Sequence, residues 1–432
     1  MRDNIELKKT LGLGGLILFG LAYMTPMIVF GTYGVIYEES GGQVATSYIF
    51  AMIAMLFTAI AYAVMAKKIP ESGSSYGYVS KVFGEKLGFL VGWIILLDYL
   101  FLPMVIWLIG GVYLEAYAPA IPGWFWLVAF IVLTTGLNII GFGVAKKVNL
   151  VLMILQLAVI IAFCALAITI IGDQPEVAPS VPDFNLAFVG AAIACYSFLG
   201  FDAVSTMAED TKEPQKNVPK AIILVTLLGG TIFAGASFIL GAAFPDITLF
   251  ASDSAAADMA AQIGGIAFSS IFVATLVVAQ FTSGVSAQAG ASRLLYAMGR
   301  DGVLPGKAFG ALHEKFHTPW ISIILVGIVG LLALKMDITT STSFINFGAF
   351  LAFIFVNLCA VVTYFKMEPA QRTLSNALTH LVAPLLGVVC IAKLLISLDT
   401  HAITLGLCWL VAGVALLVFL TKKGTKLELE MD

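Results

Sequence analysis

Two carboxylates stand where carboxylates are expensive. Asp98, within Leu96-Leu97-Asp98-Tyr99-Leu100, and Asp202, within Phe198-Leu199-Gly200-Phe201-Asp202, lie deep in long apolar stretches. An ionised side chain at the centre of a bilayer costs about 2.5–3.5 kcal/mol on insertion scales, so such acids face a cavity or a partner and mark ion or substrate paths. The partner chemistry they imply is cationic: one opposite charge 4 Å away, at an effective dielectric of about 20, contributes roughly 4 kcal/mol before desolvation. Each acid has a structural alternative. Asp202 follows Gly200 closely enough to serve as N-cap of a half-helix, and Asp98 could be a buried neutral acid bonded to Tyr or Ser. Tyr23, Tyr99, Tyr196, Phe198 and Phe201 cluster by sequence around the same places. Their ring faces could hold a cation, at about 0.5–2 kcal/mol each, or pack as ordinary helix neighbours.

The elements that must position these residues carry their own signals. The first apolar stretch reads Leu21-Ala22-Tyr23-Met24-Thr25-Pro26-Met27. Pro26 has no N–H and drives Thr25 out of helical geometry, while the Thr25 hydroxyl can satisfy a freed backbone group. Gly200 weakens helix in the middle of the sixth stretch. Non-helical backbone at membrane depth is tolerated only where it is buried in protein or lines a cavity. Interrupted helices at corresponding places in two halves are the best sequence pointer to a transporter's midplane site. Stretches one and six are five apart, as two inverted five-helix repeats require.

Only 11% of the 432 residues are charged and 60% are hydrophobic, against about a quarter charged in soluble proteins. A soluble enzyme, a nucleic-acid binder and a secreted disulfide scaffold are excluded. At about 20 residues per crossing, twelve spans are expected, near 11–37, 44–66, 87–114, 123–142, 148–171, 186–208, 219–243, 264–292, 318–336, 341–365, 377–397 and 401–421. The first is too long for a signal peptide and lacks a cleavage pattern. The chain is read as one membrane domain over 1–432: repeat one near 11–171, repeat two near 186–365, and two extra helices near 377–421.

With the N-terminus inside, all 23 basic residues except Lys335 and Lys393 fall on inner segments, the asymmetry that sets orientation. Both termini are then cytoplasmic. The outer loops hold acids such as Glu38, Glu39, Glu176, Asp253, Asp337 and Asp399, a mouth that would gather cations or the residue left by the positive-inside rule. Lys393 is expected to snorkel towards the outer surface. The five cysteines fall within spans and read as packing residues. No metal-ligand spacing, no cofactor motif and no Walker A sequence appears, so ATP does not drive the protein directly. The small residues of Thr282–Ser292 read as a close helix-packing surface. Asn346 and Asn357 are either polar glue or cavity lining.

Three further segments carry a resemblance. Phe198-Leu199-Gly200-Phe201-Asp202 with Glu209-Asp210-Thr211-Lys212-Glu213-Pro214 and Val218-Pro219-Lys220-Ala221 resembles the sixth-helix signature of the amino acid–polyamine–organocation (APC) transporters. Ile69-Pro70-Glu71-Ser72-Gly73-Ser74-Ser75-Tyr76-Gly77-Tyr78 resembles their segment after helix two, and Ser292-Arg293-Leu294-Leu295-Tyr296-Ala297-Met298-Gly299-Arg300-Asp301 their helix-eight end. Gly20–Met27, Leu96–Met104 and Ile345–Ala349 are similar to the bacterial putrescine importers of that family. The resemblance implies an all-α membrane protein with a LeuT-like 5+5 inverted repeat, twelve transmembrane helices and discontinuous helices one and six. It implies proton-coupled uptake through the bacterial inner membrane by alternating access.

Two departures matter. Amino-acid carriers of the family place Gly-Ser-Gly at the helix-one break, where bare N–H groups hold a carboxylate; here Met24-Thr25-Pro26 stands there, which favours an amine without a carboxylate. Many members carry a coupling Lys in helix five; here the aligned residue is Gln156. A linear diamine has two ammonium heads and an apolar middle. Asp98 and Asp202 are the expected anionic ends, with Tyr23, Thr25, Tyr99, Tyr196, Phe198 and Phe201 as the remaining substrate-binding residues and Asp202 as the proton-linked group. A proton-coupled amino-acid carrier is the alternative.

Overall fold

The computed structural model describes residues 11–70, 74–141, 146–173, 183–208, 210–300, 304 and 306–422. Arg2, Lys8, Lys9, Glu71, Ser72, Gly73, Glu176, Glu209, Asp301, Lys423 and Lys426 of the sequence reading lie outside the described residues. Eleven helices there are long and apolar enough to cross a membrane. They are α1 (Leu13–Gly31), α2 (Val44–Lys68), α3 (Glu85–Tyr117), α4 (Gly123–Ile140), α5 (Asn149–Ile170), α6 (Phe184–Met207), α7 (Pro214–Ala243) and α8 (Ser252–Tyr296), then α10 (Ile338–Phe365), α11 (Leu374–Ile396) and α12 (Thr400–Lys422). The ninth expected span is occupied by a shorter apolar helix, α9 (Trp320–Lys335). Its last turn, Leu331–Lys335, is 3-10 helix, which rises about 2.0 Å per residue rather than 1.5.

Polar backbone must be satisfied within the chain in lipid, and long aliphatic runs do this as helix. The outward sides of α4 and α5 expose Val132, Leu133, Val151, Ile154 and Ile161, an apolar surface matched to lipid. Inside, α2 packs along α7, α3 along α8, α4 along α9, and the inner halves of α1 and α6 meet. Each of these pairs is five helices apart. The outer pair α11 and α12 lies against α10, α2 and α3. Trp93 and Trp409 stack at 4.7 Å, and each indole N–H donates to the other's backbone carbonyl at 2.9 Å, which fastens α12 to α3 one and a half turns from Asp98.

Two local features differ from the sequence reading and a third agrees with its unbroken third span. The segment after α2 contains a short helix, Ser74–Phe83, folded against α3. The eighth span begins earlier than expected because a preceding short helix joins it at Gly265, whose φ is 67°. α3 passes through Pro103 without ending.

Candidate functional site

The first break is abrupt. α1 stops at Met24, Thr25 takes the left-handed conformation at φ 52°, and helix resumes at Ile28. The N–H groups of the turn itself are engaged. Thr25 N donates to Leu21 O at 3.0 Å, Pro26 has none, Met27 N donates to Gln156 Oε1 of α5 at 3.4 Å, and Ile28 N donates to Thr25 O at 2.8 Å. The Thr25 hydroxyl donates to Ala22 O at 3.3 Å. Beyond the break, the Tyr113 hydroxyl of α3 donates to Phe30 O at 2.5 Å.

The second break is longer. The α-helix of α6 ends at Ala194, continues as a 3-10 turn over Cys195–Phe198, and restarts as 3-10 helix at Asp202. Between them Gly200 has φ 115°, and a Cβ there would collide with the Tyr23 ring; only glycine serves. The Asp202 carboxylate accepts from Gly200 N at 3.3 Å. Besides reaching forward to the Ala203 N–H, the carboxylate also reaches backward to Gly200 and its own N–H. Leu199 N and Phe201 N are engaged by Tyr196 O and Phe198 O.

Asp98 is placed differently. It is buried in the middle of α3, and its Oδ1 has no hydrogen-bond partner. It lies in electrostatic range of Asp202, and no described basic side chain stands among the groups that act on either acid. Tyr23 and Tyr99 lie in electrostatic range of both carboxylates and Tyr196 in range of Asp98. Tyr23 and Tyr99 keep accessible surface although deep among protein atoms, as side chains do when they line an internal space. Phe198 and Phe201 do not join this group by their contacts. Phe198 packs edge-on to Phe233 of α7, and Phe201 packs on Tyr62 and Phe353.

Four residues outside the expected site belong to its surroundings. Gln156 completes the α1 break, as described above. Tyr62 of α2 and Tyr78 of the short helix lie in range of Asp202. Tyr78 stands in a segment that carried the family resemblance, but nothing in its spacing told that this segment folds back towards α6. Asn346 of α10 donates from Nδ2 to Ala192 O at 2.7 Å, in the last turn of the outer half of α6. Lys393 does not reach the carboxylates; its ammonium stands 5.6 Å from the Phe188 ring centroid.

The two broken helices are joined on both sides. Towards one end, Tyr48 of α2 bridges the Thr32 hydroxyl and the Ser197 hydroxyl, 3.0 Å from each. At the other, Leu11 N donates to Asp210 O at 3.0 Å and Lys212 N to Leu11 O at 2.8 Å, the one β-bridge among the described residues. This clasp ties the chain entering α1 to the chain leaving α6. Above it, Gly20 lies so close to Val204 and Val225 that a Cβ would stand 2.8 and 2.7 Å from their methyl groups.

All five cysteines are free. Among the described residues no group of three His, Cys, Asp or Glu could hold a metal ion.

Bilayer-spanning helices, two of them interrupted beside paired acids, define a membrane transporter. The chain belongs to the amino acid permease family of the APC superfamily, with the LeuT-like fold of that family: the family model matches residues 15–419. It is 37% identical to the low-affinity putrescine importer PlaP of Escherichia coli K12, over 97% of this chain and 95% of that protein. It is 28% identical to the branched-chain amino acid permease BcaP of Bacillus subtilis, over 98% and 95% of the two chains, and 28% identical to the methylthioribose transporter of the same organism, over 83% and 81%.

Proposed function

We propose that this protein imports a small diamine of the putrescine type across a bacterial inner membrane, coupled to protons and by alternating access. One observation carries the reading: at the turns of the two breaks six backbone donors are taken while a carboxylate oxygen is left over. Thr25, Met27, Ile28, Leu199, Gly200 and Phe201 each have an acceptor for their N–H, and Pro26 has no N–H. None of these six donors is free for a substrate carboxylate. The Asp98 Oδ1 acceptor is unpartnered, and a buried carboxylate without a counter-charge is costly. An ammonium group supplies both the charge and the donors.

Asp98 is the principal ligand for one ammonium head, with Tyr23, Tyr99 and Tyr196 offering hydroxyl oxygens and ring faces. Asp202 is the second acid and the group that exchanges a proton. Cancelling its charge weakens the hold on the cation and loosens the α6 break in one event. Thr25, Phe198 and Phe201 shape the breaks behind these groups. The name of the Escherichia coli relative agrees with this substrate class. The pairing of α1 with α6, α2 with α7, α3 with α8 and α4 with α9 supports a five-plus-five repeat, with α11 and α12 outside it. The Leu11–Lys212 clasp joins one end of both broken helices, and the distribution of basic residues supports a cytoplasmic side for that end and for both termini.

Counterflow in proteoliposomes tests the reading. Labelled putrescine is exchanged against diamines, monoamines and amino acids at two pH values. Diamines are expected to compete strongly, monoamines weakly and amino acids not at all, and an inward proton gradient is expected to drive accumulation. Competition by neutral amino acids in preference to diamines would instead assign an amino-acid carrier, as the Bacillus permease name suggests for its own chain.

A further inference from the structure

Asp98 leaves one half of a diamine unaccounted for. A rigid acceptor is needed for the second head, and Asp202 already spends an oxygen on Gly200 N. Asn346 on α10 has the required features. It is fully buried, and its Nδ2 is fixed by the 2.7 Å bond to Ala192 O, so the amide cannot turn freely. Its Oδ1 has no partner. A buried amide oxygen left unpaired costs about 1–3 kcal/mol, and it accepts without carrying charge.

Its depth matches that of Asp98. Helices α3 and α10 lie antiparallel. Phe344 packs edge-on to Phe101 at 4.9 Å between centroids, and Gly348 rests on Leu97 and on the Ile94 carbonyl. Asn346 lies at the level between those two contacts but on the opposite face of α10, turned to Ala192 of α6, and Asp98 lies at that same level on α3. The α6 turn that Asn346 grips leads, one turn later, into Tyr196, which is in range of Asp98. Helices α3, α6 and α10 thus bring two unpartnered acceptors, one charged and one neutral, to one level of the membrane.

We infer that Asn346 Oδ1 receives the second ammonium head and so sets the length of amine the site prefers. This rests on the diamine reading above. The ligand class is a linear α,ω-diamine whose far nitrogen donates to Oδ1 while its near nitrogen is held by Asp98. The amide also braces α6, so occupancy of Oδ1 is felt at the Ala192 carbonyl and the α6 break.

The test compares wild type with Asn346→Leu and Asn346→Ser in proteoliposomes, with 1,3-diaminopropane, 1,4-diaminobutane and 1,5-diaminopentane as probes. Folding is checked by thermal melting in detergent, and the serine variant stands in if the leucine variant does not fold. Loss of the acceptor is expected to raise the KM for the preferred diamine about tenfold, one good hydrogen bond's worth of affinity, and to flatten the preference among the three chain lengths while the maximal rate changes little. An unchanged KM and unchanged preference would overturn the assignment. So would a fall in maximal rate alone, which would make Asn346 only a brace for α6. Wild type that shows no saturable diamine uptake but takes up amino acids would overturn the diamine reading itself, a result visible before any variant is made.

Discussion

The two interruptions solve the same problem in opposite ways. At the α1 break the loose backbone groups are satisfied from outside, by neutral side chains of other helices: Gln156 from α5 takes the Met27 N–H, and Tyr113 from α3 supplies the Phe30 carbonyl. At the α6 break the chain satisfies itself, with the Asp202 carboxylate turned back on Gly200 N. The first break is therefore held by neutral side chains. The second is held by a carboxylate. A proton arriving at Asp202 alters both the charge offered to a cation and the bond that shapes the α6 turn, whereas nothing comparable happens at α1. The lesson extends to the acids themselves. Asp202 is part of its own scaffold; Asp98, with a free oxygen and no role in any turn, is not.

That contrast is broken or sharpened most strongly by neutralising the acids one at a time. Asp98→Asn is expected to lower diamine uptake by about a hundredfold or more, since it removes a charge pair of several kcal/mol, while leaving thermal stability unchanged or higher. Asp202→Asn is expected to lose transport and stability together, because a buried hydrogen bond to a charged group contributes about 1.5–3 kcal/mol. Uptake assays paired with melting curves in detergent read both. If the two variants melt alike, the division between a ligand acid and a scaffold acid is gone.

Gly200→Ala comes next. The residue would have to hold φ 115° and would strike the Tyr23 ring. Backbone strain of this kind costs about 1–3 kcal/mol, and the displaced ring belongs to the wall around both carboxylates. Uptake should fall at least about tenfold, with a lower melting temperature. The equivalent α1 position tolerates Thr25 at φ 52°, so Thr25→Gly, which relieves strain there, is expected to leave stability within about 1 kcal/mol of wild type.

Much of this was legible in the sequence because lipid makes few solutions available. The apolar runs each have a single strong physical reading, the Pro26 and Gly200 interruptions and the two lone acids have few, and the family resemblance gives the order of the helices. What could not be read was lateral. Sequence spacing placed Tyr23, Tyr99 and Tyr196 near the acids, and placed Phe198 and Phe201 there equally well. Which rings turn inward depends on how a 3-10 turn rotates Cys195–Phe198 relative to an α-helix, by about 20° per residue. The backward bond of Asp202 was not legible for the same reason: Gly200 at φ 115° turns its N–H over the carboxylate, which no propensity rule foresees. Asn346 gave only an ambiguous signal, since an asparagine in a span serves equally as glue or as lining until its neighbours are known.

Gln156 offers a smaller effect and a cleaner separation. Gln156→Leu removes the acceptor from Met27 N, at a cost of about 1–3 kcal/mol if the N–H is left unpaired. Uptake should drop severalfold through a looser α1, with the pH dependence of transport unchanged because no titrating group has been touched. Gln156→Glu, by contrast, is expected to introduce a new pH dependence at the α1 break. A shifted pH profile in the leucine variant would show that the proton is sensed at α1 after all.

The smallest expected effect lies at the outer end, where charge is gathered rather than bound. Glu39 is half-buried, and burial together with Glu38, Asp399 and Asp337 pushes its carboxyl above the usual range. Asp253 lies within reach of the same cluster through Glu38 and Asp337. A carboxyl whose folded-state pKa is raised disfavours folding once ionised, so its effect on stability is absent at low pH and grows as pH rises through the unfolded and then the folded value. Glu39→Gln should therefore stabilise the protein slightly at neutral pH and not at all in acid. The same substitution removes one unit of attraction for a dication, and the KM for a diamine should rise about twofold in low salt at neutral pH, the gap closing both in high salt and on mild acidification. A KM difference that survives 0.5 M salt, where the Debye length has fallen to about 4 Å, would mean that Glu39 touches the amine directly, and the separation between a gathering mouth and a binding centre would have to be redrawn.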